Sequence, residues 1–176
     1  MRFLKLPIAG AFLVEQAQAA DERGSFARLF CKAEFAAAGL VAEFEQVSLS
    51  SNRLTGTLRG MHYSVGADAE TKLVRCMAGA VHDVLVDVRP GSPSFGVTVA
   101  RDLAGPADVA LYVPAGVAHG FQALQADSAV LYMIDRPFVA AAQRGFRWND
   151  PIVAAAWPLA IGTMAPRDRD YPDFRP

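Results

Sequence analysis

Apolar and polar positions along this chain alternate with a period of two, in short stretches. Strand-like stretches fall at residues 11–15, 25–30, 43–50, 56–63, 71–77, 80–88, 95–101, 109–113, 119–125 and 128–135. Turn-forming residues punctuate them: Gly79, the run from Pro90 to Pro93, Gly105 with Pro106, and Pro114 with Gly116. Residues 32–39 have a helical composition and stop at Gly39. From about residue 139 the periodicity weakens and prolines recur, which predicts one or two helical turns and extended chain wrapped around the strands. Many short strands with few helices predict an all-β sandwich or jelly roll. The length of 176 residues predicts one domain spanning 1–176.

One strand is informative in detail. Between Val81 and Val88, Asp83 and Asp87 share a face with Val81 and Leu85, while His82 shares the other with Val84, Val86 and Val88. A carboxylate among apolar neighbours either faces solvent or is buried with a partner. Burying it unpaired costs on the order of several kcal/mol or shifts its pKa.

Composition narrows the partners. The chain is 52% apolar and 20% charged, which marks a globular protein. A net charge of −1 with no basic run argues against nucleic acid, yet leaves room for a small anion held by a few Arg and Lys side chains. Cys31 and Cys76 have no C-x-x-C spacing and are too few for a disulfide framework. Free thiols in a reducing cytoplasm are the plain reading, with a single disulfide as the alternative. The N-terminus imitates a secretory signal: Arg2 and Lys5, an apolar stretch from Leu6 to Val14, then Ala17-Gln18-Ala19. Pro7 and Gly10 break that stretch, and cleavage after Ala19 would strip the segment preceding Asp21 to Gly24, so residues 1–20 are read as part of the fold. No apolar stretch is long enough to span a membrane.

Two clusters carry candidate chemistry. Leu58 to Tyr63 holds Arg59 and His62, followed by Lys72 and Arg75 on the next strand. Histidine suits general-base work near neutrality, and lysine stabilises a developing oxyanion. Arg59 and His62 have opposite parity, so if both face inward Gly60 marks a bulge. The plain alternative is a surface Arg beside a half-buried His. The second cluster runs from Tyr112 to Phe121, where Pro114 and Gly116 make a tight turn before His119. This is the pattern cupins show between late barrel strands. A cupin metal set needs a His-x-His pair, which Tyr63 and Ser64 after His62 do not supply, so no metal is expected. His82 reads as structural or surface.

The chain resembles the dTDP-4-dehydrorhamnose 3,5-epimerases. The resemblance runs in order through Asp21-Glu22-Arg23-Gly24, Gln46-Val47-Ser48, Leu58 to Tyr63, Lys72 to Arg75, Asp83 to Arg89, Ser92 to Gly96, Pro114 to Phe121 and Trp148 to Pro151. It implies a cupin-type double-stranded β-helix with short peripheral helices, and a homodimeric epimerase without cofactor or metal. The implied substrate is a nucleotide-linked 6-deoxyhexose with a ketone at C4, whose C3 and C5 hydrogens are removable because the anion delocalises onto the C4 oxygen. His62 matches the base, Lys72 the group beside the enolate oxygen, and Tyr132 the acid. Without the resemblance Tyr132 reads as a core aromatic. A base histidine is usually oriented by a carboxylate; Asp83 and Asp168 are the candidates, and the sequence does not rank them. Phe138 matches an aromatic lining the sugar pocket. Arg23, Gln46, Arg59 and His119 match positions holding the nucleotide, its diphosphate or the sugar, and Arg28 and Ser48 are placed at that end too.

Three departures cluster at the nucleotide end. Arg28 stands where glutamate is common, Ser48 where the family carries an amide, and Ser25 where an aromatic is usual. They raise the expectation of an altered nucleotide or sugar. Three other readings stand beside the 3,5-epimerase: an epimerase acting at one carbon, a binding-only cupin, and a metal-dependent cupin oxygenase.

Overall fold

Two antiparallel sheets face each other in the computed structural model, which describes residues 1–106 and 109–176. The elements in chain order are β1 (Arg2–Lys5), β2 (Phe12–Glu15), β3 (Gln18–Asp21), β4 (Gly24–Ala27), α1 (Lys32–Ala37), β5 (Gln46–Asn52), β6 (Leu58–Ser64), β7 (Lys72–Ala78), β8 (Ala80–Asp87), β9 (Thr98–Ala104), β10 (Val109–Val113), β11 (Val117–Ala123), β12 (Ser128–Ile134), β13 (Gln143–Gly145) and α2 (Pro166–Arg169). One sheet has the order β1-β2-β10-β7-β12-β5 and the other β13-β6-β11-β8-β9, with β3 and β4 forming a separate hairpin. This is one of the two architectures the strand pattern predicts, a jelly roll, and it is of the cupin type that the resemblance implies.

Side-chain parity explains the packing. Val74 and Cys76 of β7, Val81 and Leu85 of β8, and Phe121 of β11 point into the space between the sheets and form the central core. The opposite face of β8, with Val84 and Val86, is covered by the C-terminal tail through Phe146, Val153 and Phe174. β8 is therefore buried on both faces, and Asp83 and Asp87 are sealed at 1% and 0% exposure. Both are paired, as a buried carboxylate must be. Asp87 accepts hydrogen bonds from Arg89, Ser92 and Ser94.

The outer face of the six-stranded sheet is covered by α1. Phe35 is fully buried there among Phe3, Phe30 and Phe44. Its ring lies 5.1 Å from Phe3 and 4.9 Å from Phe30. Burying such a side chain contributes roughly 2–3 kcal/mol. The helix is shorter than the 32–39 predicted: it ends at Ala37, and Gly39 takes a left-handed φ of 71°. From there Gly39 and Leu40 donate back to Ala36 and Phe35, closing the last turn.

Three strands escape the sequence pattern. β1 and β13 are four and three residues long, and β3 is fully exposed, so none has enough alternation to register. β1 pairs with β2, and the segment that resembles a signal sequence thereby forms one edge of the six-stranded sheet.

Candidate active site

A cavity of about 330 Å³ opens between the sheets, and its walls carry most of the predicted site residues. β6 supplies Arg59 and His62, β11 supplies His119, and the opposing sheet supplies Gln46 and Ser48 from β5, Lys72 from β7 and Tyr132 from β12. Arg59 and His62 both reach the cavity because the register shifts between them. β6 advances from Arg59 to His62 while β11 advances only from Phe121 to His119. The extra residue sits at Gly60, where φ is 128° and an added Cβ would lie 2.6 Å from Gly120 Cα. Only glycine fits that crossing.

The carboxylate at His62 is Asp168. His62 Nε2 lies 2.7 Å from Asp168 Oδ1, and the Gly60 N–H donates to Asp168 Oδ2 at 3.2 Å. Burial pushes the Asp168 carboxyl up, but the hydrogen bond and charge of His62 and the Gly60 N–H outweigh it and hold the group below the usual carboxylate range. With Nε2–H donating to Asp168, His62 Nδ1 keeps its lone pair free for a proton. Tyr171 lies edge-on to the His62 ring at 6.0 Å.

Asp83, the other candidate, is placed elsewhere. Its Oδ2 lies 2.8 Å from His119 Nε2, one strand over. His119 packs edge-on against Tyr132 with ring centres 5.8 Å apart. Burial, then the Asp83 charge, push the Tyr132 phenol far above the usual tyrosine range, and Arg59 opposes them only in part. At neutral pH Tyr132 is therefore a protonated donor facing the cavity.

Lys72 pairs with Glu70 at 3.4 Å, and Gln143 donates to the other Glu70 oxygen at 2.8 Å. Burial lowers the Lys72 pKa, and Glu70 restores part of it. Arg59 donates through Nε to Asn52 Oδ1 at 2.8 Å and through Nη2 to the Ser51 carbonyl at 3.4 Å, and its side chain borders the cavity. Phe138 stands exposed at the cavity wall just after β12.

Arg23 and Arg28 do not reach the cavity of their own chain. Arg23 is on the turn between β3 and β4 and pairs with Asp21; Arg28, just after β4, pairs with Glu34. His82 lies on the tail-covered face of β8, beside Asp102 and Trp157. The three histidines thus belong to three separate aspartate pairs. Sequence reasoning missed Glu70, Gln143, Asn52, Arg167 and Tyr171. Gln143 meets Glu70 across 73 residues of chain, whereas Glu70 lies two residues from Lys72, Asn52 seven from Arg59, and Arg167 and Tyr171 beside Asp168, so those four had a predicted neighbour to point at them.

Paired sheets around a cavity that holds a carboxylate-backed histidine, a lysine and a protonated phenol define a cupin-type enzyme built to move protons. The family model described as dTDP-4-dehydrorhamnose 3,5-epimerase matches residues 5–176. The chain belongs to that family, whose activity is an isomerisation. It is 38% identical over 179 residues to the dTDP-4-dehydrorhamnose 3,5-epimerase of Sinorhizobium fredii, covering 99% of this chain and 90% of that relative. It is 33% identical over 171 residues to a dTDP-4-dehydrorhamnose 3-epimerase of Streptomyces niveus, covering 97% of this chain and 82% of that one. A crystal structure of the Bacillus anthracis 3,5-epimerase with TDP and pyrophosphate bound superposes with a TM-score of 0.94 at 32% identity, over 98% of this chain and 99% of that one. The family resemblance and the fold read from the sequence both hold. No helix among the described residues is long and apolar enough to cross a membrane.

Proposed function

We propose that this enzyme converts dTDP-4-dehydro-6-deoxyglucose to dTDP-4-dehydrorhamnose by inverting C5 and C3 in turn. The carrying observation is that His62 with Asp168 and Tyr132 line one cavity from opposing sheets, with Lys72 beside them. His62 Nδ1 takes the proton from the carbon next to the ketone, and the C–H electron pair delocalises onto the C4 oxygen. The Lys72 ammonium stabilises that oxyanion. Tyr132 delivers its hydroxyl proton to the other face of the carbon, which inverts it; the phenolate is then reprotonated from solvent and the His62 imidazolium releases its proton to solvent. The high pKa of the phenol is no obstacle, because an enolate carbon is a strong base. Asp168 fixes the His62 tautomer and stabilises the imidazolium.

Arg59 suits the diphosphate through its fork of donors. Gln46, Ser48 and His119 border the same space, and Phe138 offers a face to the sugar or base. Arg23 enters this reading through a homodimer. Phe26 on β4 is 76% exposed, and Val47 and Leu49 on the edge strand β5 are 67% and 60% exposed. Apolar surface of that kind on a hairpin and a free strand edge supports contact with a second copy. The hairpin of one copy would bring Arg23 to the nucleotide end of its neighbour's cavity. Both cysteines are free, which supports a cytoplasmic setting.

A second reading rests on Ser48, which lines the cavity without an amide, and on Arg28: the nucleotide is not dTDP. One experiment separates these readings. The enzyme is incubated in D₂O with 4-keto-6-deoxyhexoses linked to dTDP, UDP, GDP or CDP, and deuterium is followed at C3 and C5. Exchange at both carbons with the dTDP sugar alone is expected, and it disappears in His62→Ala. Exchange at one carbon identifies a single-site epimerase like the Streptomyces niveus relative. Preference for another nucleotide moves the doubt to Ser48 and Arg28. Exchange with none of them, unchanged by His62→Ala, sinks the catalytic reading.

A further inference from the structure

Glu70 is a buried carboxylate on the wall of the cavity, and the proton-transfer steps do not use it. It is 5% exposed and sits in the loop between β6 and β7. Three contacts fix it. Its backbone N–H donates to Ser64 Oγ at 2.7 Å, Gln143 Nε2 donates to Oε1 at 2.8 Å, and Oε2 faces Lys72 Nζ at 3.4 Å. The next residue, Thr71, is pinned as well, its N–H donating to Asp135 Oδ1 at 2.7 Å. Gln143 in turn is held by the pairing of β13 with β6. The loop therefore presents one carboxylate, in one orientation, to one lysine.

We propose that Glu70 is a positioning residue: braced by Gln143, its carboxylate holds the Lys72 ammonium against the cavity wall where the substrate's developing oxyanion forms. This rests on the role of Lys72 proposed above. Lys72 is an unbranched side chain that loses several rotamers on being fixed, and its own strand offers it only apolar inward neighbours, Val74 and Cys76. An ion pair on one side leaves two ammonium protons to point at substrate. Burial drives Lys72 toward the neutral amine, and Glu70 is the charge that opposes this most directly. Other charged or titratable groups border the same space: Arg59 and His62 from β6, His119 from β11, Tyr132 from β12, and Arg167 and Asp168 from α2.

The test uses the full-length enzyme with Glu70→Gln, Glu70→Asp, Gln143→Ala and Lys72→Met. The first readout needs no turnover: the pH dependence of acylation of Lys72 by an amine reagent in the resting enzyme, followed by peptide mass spectrometry. Glu70→Gln is expected to move the midpoint down by about one pH unit or more, and Glu70→Asp to restore most of it. The second readout is the pH profile of turnover. Glu70→Gln is expected to lower kcat by about 10- to 100-fold with little change in KM, and to bring the alkaline fall in kcat to lower pH. If Glu70→Gln does not fold, Gln143→Ala carries the test through a smaller shift in the same direction. Unchanged Lys72 acylation in every variant, or a change confined to KM, overturns the inference and marks Glu70 as a structural or substrate-contacting group. Lys72→Met keeps the two ideas apart. If it turns over like the parent enzyme, the role of Lys72 itself fails. If it is slow while Glu70→Gln is not, only the inference about Glu70 fails.

Discussion

Two histidine–aspartate pairs stand side by side in this molecule, and they have different uses. His62 and His119 are cross-strand partners on β6 and β11. Each meets a carboxylate through Nε2, at 2.7 Å and 2.8 Å. The His62 side chain is 28% exposed and its partner Asp168 is 5% exposed; for His119 and Asp83 the values are 5% and 0%. Both Asp168 oxygens have partners, one of them the Gly60 N–H, whereas Asp83 Oδ1 is buried without a hydrogen bond among the described residues. The open pair can meet a substrate carbon, and its aspartate arrives on α2 from the tail. The sealed pair is built from the sheet itself and reaches the cavity only through His119. Asp83 acts at a distance: burial is the main cause that raises the Tyr132 phenol pKa, and the Asp83 charge adds to it. A histidine–carboxylate pair can thus serve as a base only when its free nitrogen is reachable; sealed in a sheet, it is a strut with an electrostatic reach.

The largest effect that would break this contrast is at Asp168. Asp168→Asn is expected to lower kcat by roughly 10³-fold, because the amide can hold His62 in the wrong tautomer and cannot stabilise the imidazolium. Deuterium exchange at C5 should fall with it. Stability supplies a second check, with a definite sign. The folded-state pKa of Asp168 lies below its ordinary value, so its contribution is complete above about pH 5. That contribution is lost as pH falls through the lower folded-state pKa. The melting temperature of the parent should therefore exceed that of Asp168→Asn at neutral pH, and the gap should close in acid. A gap that widens in acid would contradict the pairing.

The sealed pair should respond in stability more than in rate. Asp83→Asn is expected to cost about 2–4 kcal/mol of folding stability, since it disrupts a fully buried pair. C5 exchange, which the proposed mechanism does not route through Asp83, should stay within a few-fold of the parent. Denaturant unfolding beside the exchange assay distinguishes the two. A large loss of exchange with an unchanged midpoint would make Asp83, not Asp168, the partner of the base.

Sequence periodicity carried the frame of this comparison but not the choice within it. The alternation from Val81 to Val88 put Asp83 on one face with Val81 and Leu85 and left open whether that face is exposed or buried; the opposite parity of Arg59 and His62 required a bulge at Gly60 only if both face inward, as they do. Those are properties of one strand and its pleat. The choice between Asp83 and Asp168 is a property of where the tail lands. Residues 146–176 have no period to read, because they pack as extended chain against the outer face of a sheet. Asp168 entered the reading only through the family resemblance. Glu70 and Gln143 stayed hidden for the same reason: their hydrogen bond spans 73 residues, and neither residue type marks the site alone.

The smallest effect concerns the region farthest from both pairs. The Arg23 side chain is 85% exposed and its only ion partner among the described residues is the neighbouring Asp21. An arginine so placed contributes little to the fold of its own chain. In a homodimer it can bind a neighbour's substrate; in a monomer it has nothing to bind. Arg23→Ala should therefore raise KM about tenfold, the loss of one charge-assisted contact, and leave kcat near the parent value. The effect should need the dimer. In mixed dimers of Arg23→Ala and His62→Ala chains, action across the interface gives one cavity with both His62 and Arg23 and one with neither. Their active cavity would keep the parent KM if Arg23 acts across the interface and show the raised value if it acts within the chain. The converse mixture is the double variant Arg23→Ala/His62→Ala with unaltered chain. Its one active cavity keeps the parent KM if Arg23 acts within the chain and shows the raised value if it acts across. Light scattering that finds only monomer, with KM unchanged in Arg23→Ala, would remove the hairpin from the site.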